Sequence, residues 1–119
     1  MIEKDEIKAR VRAEIDRRAA EIVAISDHVM RNPETGYREV KTAAFVAEHF
    51  GKMGLTYRDR LALTGVKARL PGRSAGPTVA IMGELDSLMS AEHPYADPVT
   101  HAAHACGHNA MIASMLGAG

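Results

Sequence analysis

Apolar residues recur at spacings of three and four from the start of the chain. Ile7, Val11, Ile15, Ala19, Ile22, Val23 and Met30 lie on one line, with Ser26 among them. That period predicts a single long helix over residues 3–30, with a dense Glu, Lys, Asp and Arg face turned to solvent. Asn32-Pro33 ends it, because the residue before a proline is pushed out of the α region. Pro33-Glu-Thr-Gly36 reads as a turn. A second helix is predicted over residues 38–53, with Val40, Ala43, Ala44, Ala47, Phe50 and Met53 on its apolar side and Gly54 as the residue that closes it.

Beyond Gly54 the period changes. Residues 55–60 are a weak strand candidate. Val66 to Leu70 alternates apolar and polar positions, as a half-buried strand does. Pro71-Gly-Arg-Ser-Ala-Gly-Pro77 is a turn or loop by composition, and it lacks the spacing and following Lys-Ser/Thr of a phosphate-binding loop. Thr78-Val-Ala-Ile-Met82 is apolar on both sides and predicts a central strand covered on both faces. Gly83-Glu84-Leu85-Asp86-Ser87 follows at its end. Side chains alternate across a strand, so one of the two acids is expected to face a site there, unless the chain has left the sheet. Residues 91–100, with Pro94 and Pro98, form an irregular connection, and an apolar run from Ala110 to Leu116 predicts a last helix. Two helices, then strands, then a helix define an α/β or mixed-layer fold in a single domain of 119 residues.

Composition narrows the partners. Fifteen basic residues balance fifteen acidic ones, which excludes a nucleic-acid or anionic-membrane surface as the main business of the chain. No apolar run approaches the roughly 18 residues that span a bilayer. Met1-Ile-Glu-Lys-Asp-Glu6 lacks the apolar core of a signal peptide. One cysteine permits no internal disulfide and suits a reducing compartment. A cytoplasmic protein is the expectation.

The candidate chemistry gathers in His101-Ala-Ala-His104-Ala-Cys106-Gly107-His108-Asn109. On a regular helix Cys106 and His108 would point about 200° apart, so they could not share an ion. A turn at Gly107, which lacks the Cβ that restricts φ, lets them converge at the start of the last helix. Taken alone, the pair fits a small buried thiol with a chance histidine better than it fits two metal ligands. His104 reads as a structural or hydrogen-bonding residue near the site, and His93 and His101 as loop histidines.

The chain resembles the N-terminal part of a di-metal amidohydrolase of the aminoacylase/carboxypeptidase metallopeptidase family, in the subfamily of hippurate hydrolase, aminobenzoyl-glutamate hydrolase and indole-acetyl-amino-acid hydrolase. The matching stretches are Arg31-Asn-Pro-Glu-Thr-Gly36 with Glu39 and Thr42, Thr64-Gly-Val66, Gly76-Pro-Thr-Val-Ala80, Gly83-Glu-Leu-Asp86 and His104-Ala-Cys-Gly-His-Asn109. They occur in family order. The resemblance implies a partial zinc-peptidase-like α/β domain with Cys106 and His108 as metal ligands. It makes Asp86 the acid that orients the site, the one catalytic-site carboxylate of the chain, and Asn32 and Glu39 structural residues. It implies two divalent transition ions, zinc or else Mn, Co or Ni, and a small N-acyl amino acid, aminobenzoyl-glutamate-like conjugate or peptide as substrate in a homo-oligomeric enzyme. The chain departs from the family pattern at Asn109, where Asp is usual, and at Gly83-Glu84-Leu85-Asp86-Ser87-Leu88-Met89, where Ala-Asp-Met-Asp-Ala-Leu-Pro is more frequent.

Family members are several times longer, and the resemblance places the general-base Glu, the remaining ligands and a lid or dimerisation domain outside these 119 residues. The expectation is therefore a fragment, inactive alone, whose parent hydrolyses an amide bond. Truncation would leave apolar surfaces that drive self-association. Two other readings stay open: a small binding or assembly module in which Cys106 and His108 are structural, and a thiol hydrolase with Cys106 as nucleophile.

Overall fold

The computed structural model describes all residues 1–119, in a body of 54 × 29 × 21 Å. The predicted first helix is two helices: α1 (Lys4–Arg17) and α2 (Ala19–Met30). The break falls at Arg18, whose φ of −100° and ψ of 8° leave the helical region, and whose N–H is shared between the carbonyls of Glu14 and Ile15. The two halves have different surroundings. α1 buries no residue, and its stripe of Ile7, Val11 and Ile15 stays about half exposed. α2 instead buries Ile25 and Val29, which are not on the predicted stripe, while Val23 faces out.

Asn32 donates its side-chain amide to the His28 carbonyl at 2.8 Å, closing the end of α2. α3 (Val40–Lys52) follows. It buries Thr42, Val46 and Ala47, so of the predicted side Ala47, Phe50 and Met53 do face the core, while Val40 is exposed and Thr42 and Val46 take its place. Its end matches the expectation. Gly54 sits at φ 72°, its N–H bonds the Gly51 carbonyl and the Leu55 N–H bonds that of Phe50, both at 2.9 Å. This is the paired-bond closure that a left-handed glycine makes possible.

β1 (Tyr57–Leu61) and β2 (Gly65–Ala68) form an antiparallel hairpin with an irregularity between Arg58 and Leu61. β3 (Leu88–Met89) pairs antiparallel with β4 (Ala102–Ala103), so the irregular connection between them returns the chain beside itself. α4 (His108–Gly117) closes the chain. The architecture is a mixed helix-and-sheet one, as an α/β reading requires, with two small sheets instead of one continuous layer.

The central strand expected over Thr78–Met82 is absent. These residues belong to no sheet, and Val79, Ile81 and Met82 are 82%, 59% and 81% exposed. A buried strand exists only where neighbours pair with both of its edges. Here the four short strands pair only with each other.

The core lies between α2, α3 and α4. Ile25, Val29, Val46, Ile112, Ala113 and Leu116 form it, and Ile22, Phe45, Phe50, Met53, Val66, Leu85 and Met115 pack around them. Removal of this aliphatic surface from water is the main favourable term for so small a body. α4 settles closely on α2, since a Cβ on Gly117 would lie 3.1 Å from Ile22.

Candidate functional site

The site is the corner where an extended segment crosses the first turn of α4. Gly107 turns the backbone with φ 97°, as its lack of a Cβ permits, and His108 begins the helix. Residues 83–86 pass over that turn in close contact. A Cβ on Gly83 would meet Ile112 Cα at 3.3 Å and its backbone nitrogen at 3.4 Å. Leu85 packs on the core.

This crossing brings two carboxylates to one imidazole. Glu84 Oε2 stands 2.7 Å from His108 Nε2. On the other side of the ring, Nδ1 lies 2.8 Å from the Asp86 carbonyl and 3.2 Å from Asp86 Oδ1. The His108 side chain is 12% exposed, and both its nitrogens face oxygen acceptors. The expectation that only one acid would look into the site is overturned. It assumed a strand, and outside a sheet residues 84 and 86 are free to reach the two edges of the same ring.

The remaining candidates are spread out. Cys106 is exposed on the turn before α4. His104 is 3% exposed, and neither of its ring nitrogens has a partner, so of the structural or hydrogen-bonding role expected for it the buried structural one is found and the hydrogen bond is not. Burial, with His108 adding to it, pushes the His104 pKa below the usual histidine value. His101 is exposed with φ 58°, and His93 accepts the Tyr95 N–H at 3.2 Å. Asn109 is buried and donates its amide to Ser26 Oγ on α2 at 2.9 Å. Glu39 is buried and accepts the Thr64 hydroxyl at 2.8 Å.

Cys106 and His108 are donor types that suit the metal ion implied by the resemblance, but the chain by itself does not supply a full ligand set. No three His, Cys, Asp or Glu side chains are placed to share an ion. The outer nitrogen of His108 is taken by Glu84. A cleft between α2 and α3, lined by His28, Val29, Asn32, Lys41, Thr42 and Phe45, is separate from this corner and contains no acid or thiol.

Sequence reasoning also passed over Glu34. Its carboxylate accepts the backbone N–H groups of Lys41 and Thr42 and the Thr42 hydroxyl at 2.7–3.0 Å, serving the start of α3 from outside the helix. The acid next to the helix start is Glu39, so position along the chain gave no signal that Glu34 would serve it.

Comparison with known proteins agrees with the residues. The N-acyl-L-amino acid amidohydrolase of Geobacillus stearothermophilus is 35% identical over 96% of this chain and 30% of its own length. The N-acetyl-L-cysteine deacetylase of Bacillus subtilis is 34% identical over 82% of the chain and 24% of its length. IAA-amino acid hydrolase ILR1-like 5 of Arabidopsis thaliana is 35% identical over 82% and 23%. Thermostable carboxypeptidases of Saccharolobus solfataricus match similarly. No family model matches the chain, and no solved structure matches it. The fold and corner are those of a mixed α/β segment with a carboxylate-flanked histidine at a helix start. The chain belongs to the family of amidohydrolases that includes these N-acyl-amino acid hydrolases, IAA-amino acid hydrolases and carboxypeptidases. It spans less than a third of the length of the curated relatives it matches.

Proposed function

We propose that this chain is a segment of the catalytic domain of a metal-dependent amidohydrolase acting on N-acyl amino acids or related conjugates, with a zinc-peptidase-like architecture in the whole enzyme. In this reading His108 and Cys106 are metal-ligand positions, Asp86 orients His108 from its Nδ1 side, and donors from outside the 119 residues complete the centre. The observation that carries it is the grip of Asp86 on His108 at the helix start, in a chain related over most of its length to enzymes named for this reaction. A residue that ligates through one imidazole nitrogen is usually oriented through the other, by a carbonyl or carboxylate, and Asp86 offers both.

Hydrolysis by the 119-residue chain alone is not expected. The test is an assay of the purified chain on N-acetyl amino acids with zinc, manganese or cobalt supplied, beside equilibrium dialysis with zinc. No turnover, and zinc binding weakened by Cys106→Ser and by His108→Ala, agrees with the reading. Turnover by the short chain, or zinc binding indifferent to both substitutions, overturns it.

A second reading is a binding or assembly module in which Cys106 and His108 are structural. It is distinguished by the same dialysis: no stoichiometric zinc at all.

A further inference from the structure

We propose that Glu34 is the positioning residue that sets the place of His108, acting from the start of α3 through Ser87 and Asp86. The proposal rests on the reading above only in treating His108 as a site residue.

Glu34 is held at both ends. Its carboxylate is fixed to the first turn of α3: Oε1 accepts the Thr42 N–H at 2.7 Å and the Thr42 hydroxyl at 2.8 Å, and Oε2 accepts the Lys41 N–H at 3.0 Å. Its backbone carbonyl accepts two bonds from one residue, the Ser87 N–H at 2.8 Å and the Ser87 hydroxyl at 2.9 Å. Ser87 is buried, and it pairs with Thr35 in an isolated parallel bridge. Asp86 comes next to Ser87 in the chain, and its carbonyl and carboxylate take Nδ1 of His108.

What makes this relay decisive is the state of the chain before it. Residues 71–86 take part in no backbone–backbone hydrogen bond. After β2 the first backbone anchor is the Ser87 N–H on Glu34. Gly83 and Leu85 press on α4 and the core, but apolar contact is non-directional and does not fix how the Asp86 carbonyl and carboxylate are aimed. Hydrogen bonds do. A helix cap and a site clamp are thus two ends of one glutamate.

A plain capping role predicts that losing the carboxylate lowers stability and leaves the histidine where it is. The positioning role predicts that the histidine moves. The test uses the 119-residue chain with ¹⁵N-labelled histidine, reading ring correlations at fixed pH and at a temperature where each variant is folded. The His108 signals are assigned by their loss in His108→Gln. Glu34→Ala and Ser87→Ala are each expected to shift the His108 ring resonances and to leave those of His49, whose Nδ1 contacts the Phe45 carbonyl. Ile25→Val loosens the core without removing a hydrogen bond, and is expected to leave His108 unchanged. Unshifted His108 signals in folded Glu34→Ala overturn the proposal, and so does an equal shift in Ile25→Val. Should Glu34→Ala not fold, Ser87→Ala decides alone: a shift supports the relay and no shift ends it. The readout involves neither metal nor turnover, so its outcome is independent of the assays above.

Discussion

The side-chain amide of Asn109 donates to the hydroxyl of Ser26 at 2.9 Å, tying the first turn of α4 to the middle of α2 across most of the chain. Asn109 is buried and Ser26 half-buried. An aspartate, frequent at this position in the family the chain resembles, would have no amide to give. Asn109→Ala and Ser26→Ala should each destabilise, and the two together should cost less than their sum. The coupling expected for such a bond is about 0.5–1.5 kcal/mol. Urea unfolding of the four proteins measures it, and strict additivity would show that the contact contributes nothing.

His104 invites the opposite experiment. It is enclosed with neither ring nitrogen paired. A buried polar group without a partner costs on the order of 1–3 kcal/mol, and an apolar replacement of similar size removes that cost. His104→Leu should therefore raise the urea midpoint. A lowered midpoint would mean that the imidazole is serving a partner in solution.

Gly83 has a more local part. Its would-be Cβ meets backbone atoms of Ile112, which cannot swing aside as a side-chain tip could. Gly83→Ala should push residues 83–86 away from α4 at a cost of about 1–3 kcal/mol, the usual range for overpacking. Thermal unfolding checks the cost. Unchanged stability would show that the segment rides over α4 without touching it.

Asp97 supplies an acid dependence. Its Oδ1 accepts the N–H groups of Thr100 at 2.7 Å and Val99 at 2.9 Å, and these bonds, that of Thr100 foremost, hold its carboxyl below the ordinary aspartate value. A carboxyl with a depressed folded-state pKa adds stability that is complete above its unfolded value. That stability is lost as the pH falls through the folded value. The chain should lose stability on acidification below about pH 4, the ordinary aspartate range, and Asp97→Asn should lose less over the same window. Urea midpoints at a series of pH values compare the two slopes, and identical slopes would remove Asp97 from the account.

Much of the helical part was legible, because the signals there are local. The Asn32-Pro33 stop, the left-handed Gly54 and the turn at Gly107 before a helix depend on the backbone preferences of single residues, and all three are present. Which face a helix buries depends on what it meets. The stripe through Ile7, Val11 and Ile15 has the right period, yet α1 meets almost nothing, while Ile25 and Val29 are buried by α4 far along the sequence. The apolar run Thr78–Met82 misled for the same reason, since a strand is made by its neighbours. At the site, the candidate residues Cys106, His108 and Asp86 were visible from motif and resemblance. Glu84 at the ring's second nitrogen was not, because that contact exists only where the chain leaves sheet geometry.

The bare stretch before the site has a consequence for the integrity of the molecule. Residues 71–82 are exposed and their backbone is unbonded, the condition in which a protease takes hold of a chain. Arg73 offers trypsin a place to cut. Yet α4, on the far side of that cut, is seated against α2 and α3 on the near side. A single nick there would divide the covalent chain without parting its halves, leaving two peptides that travel as one particle until a denaturant separates them.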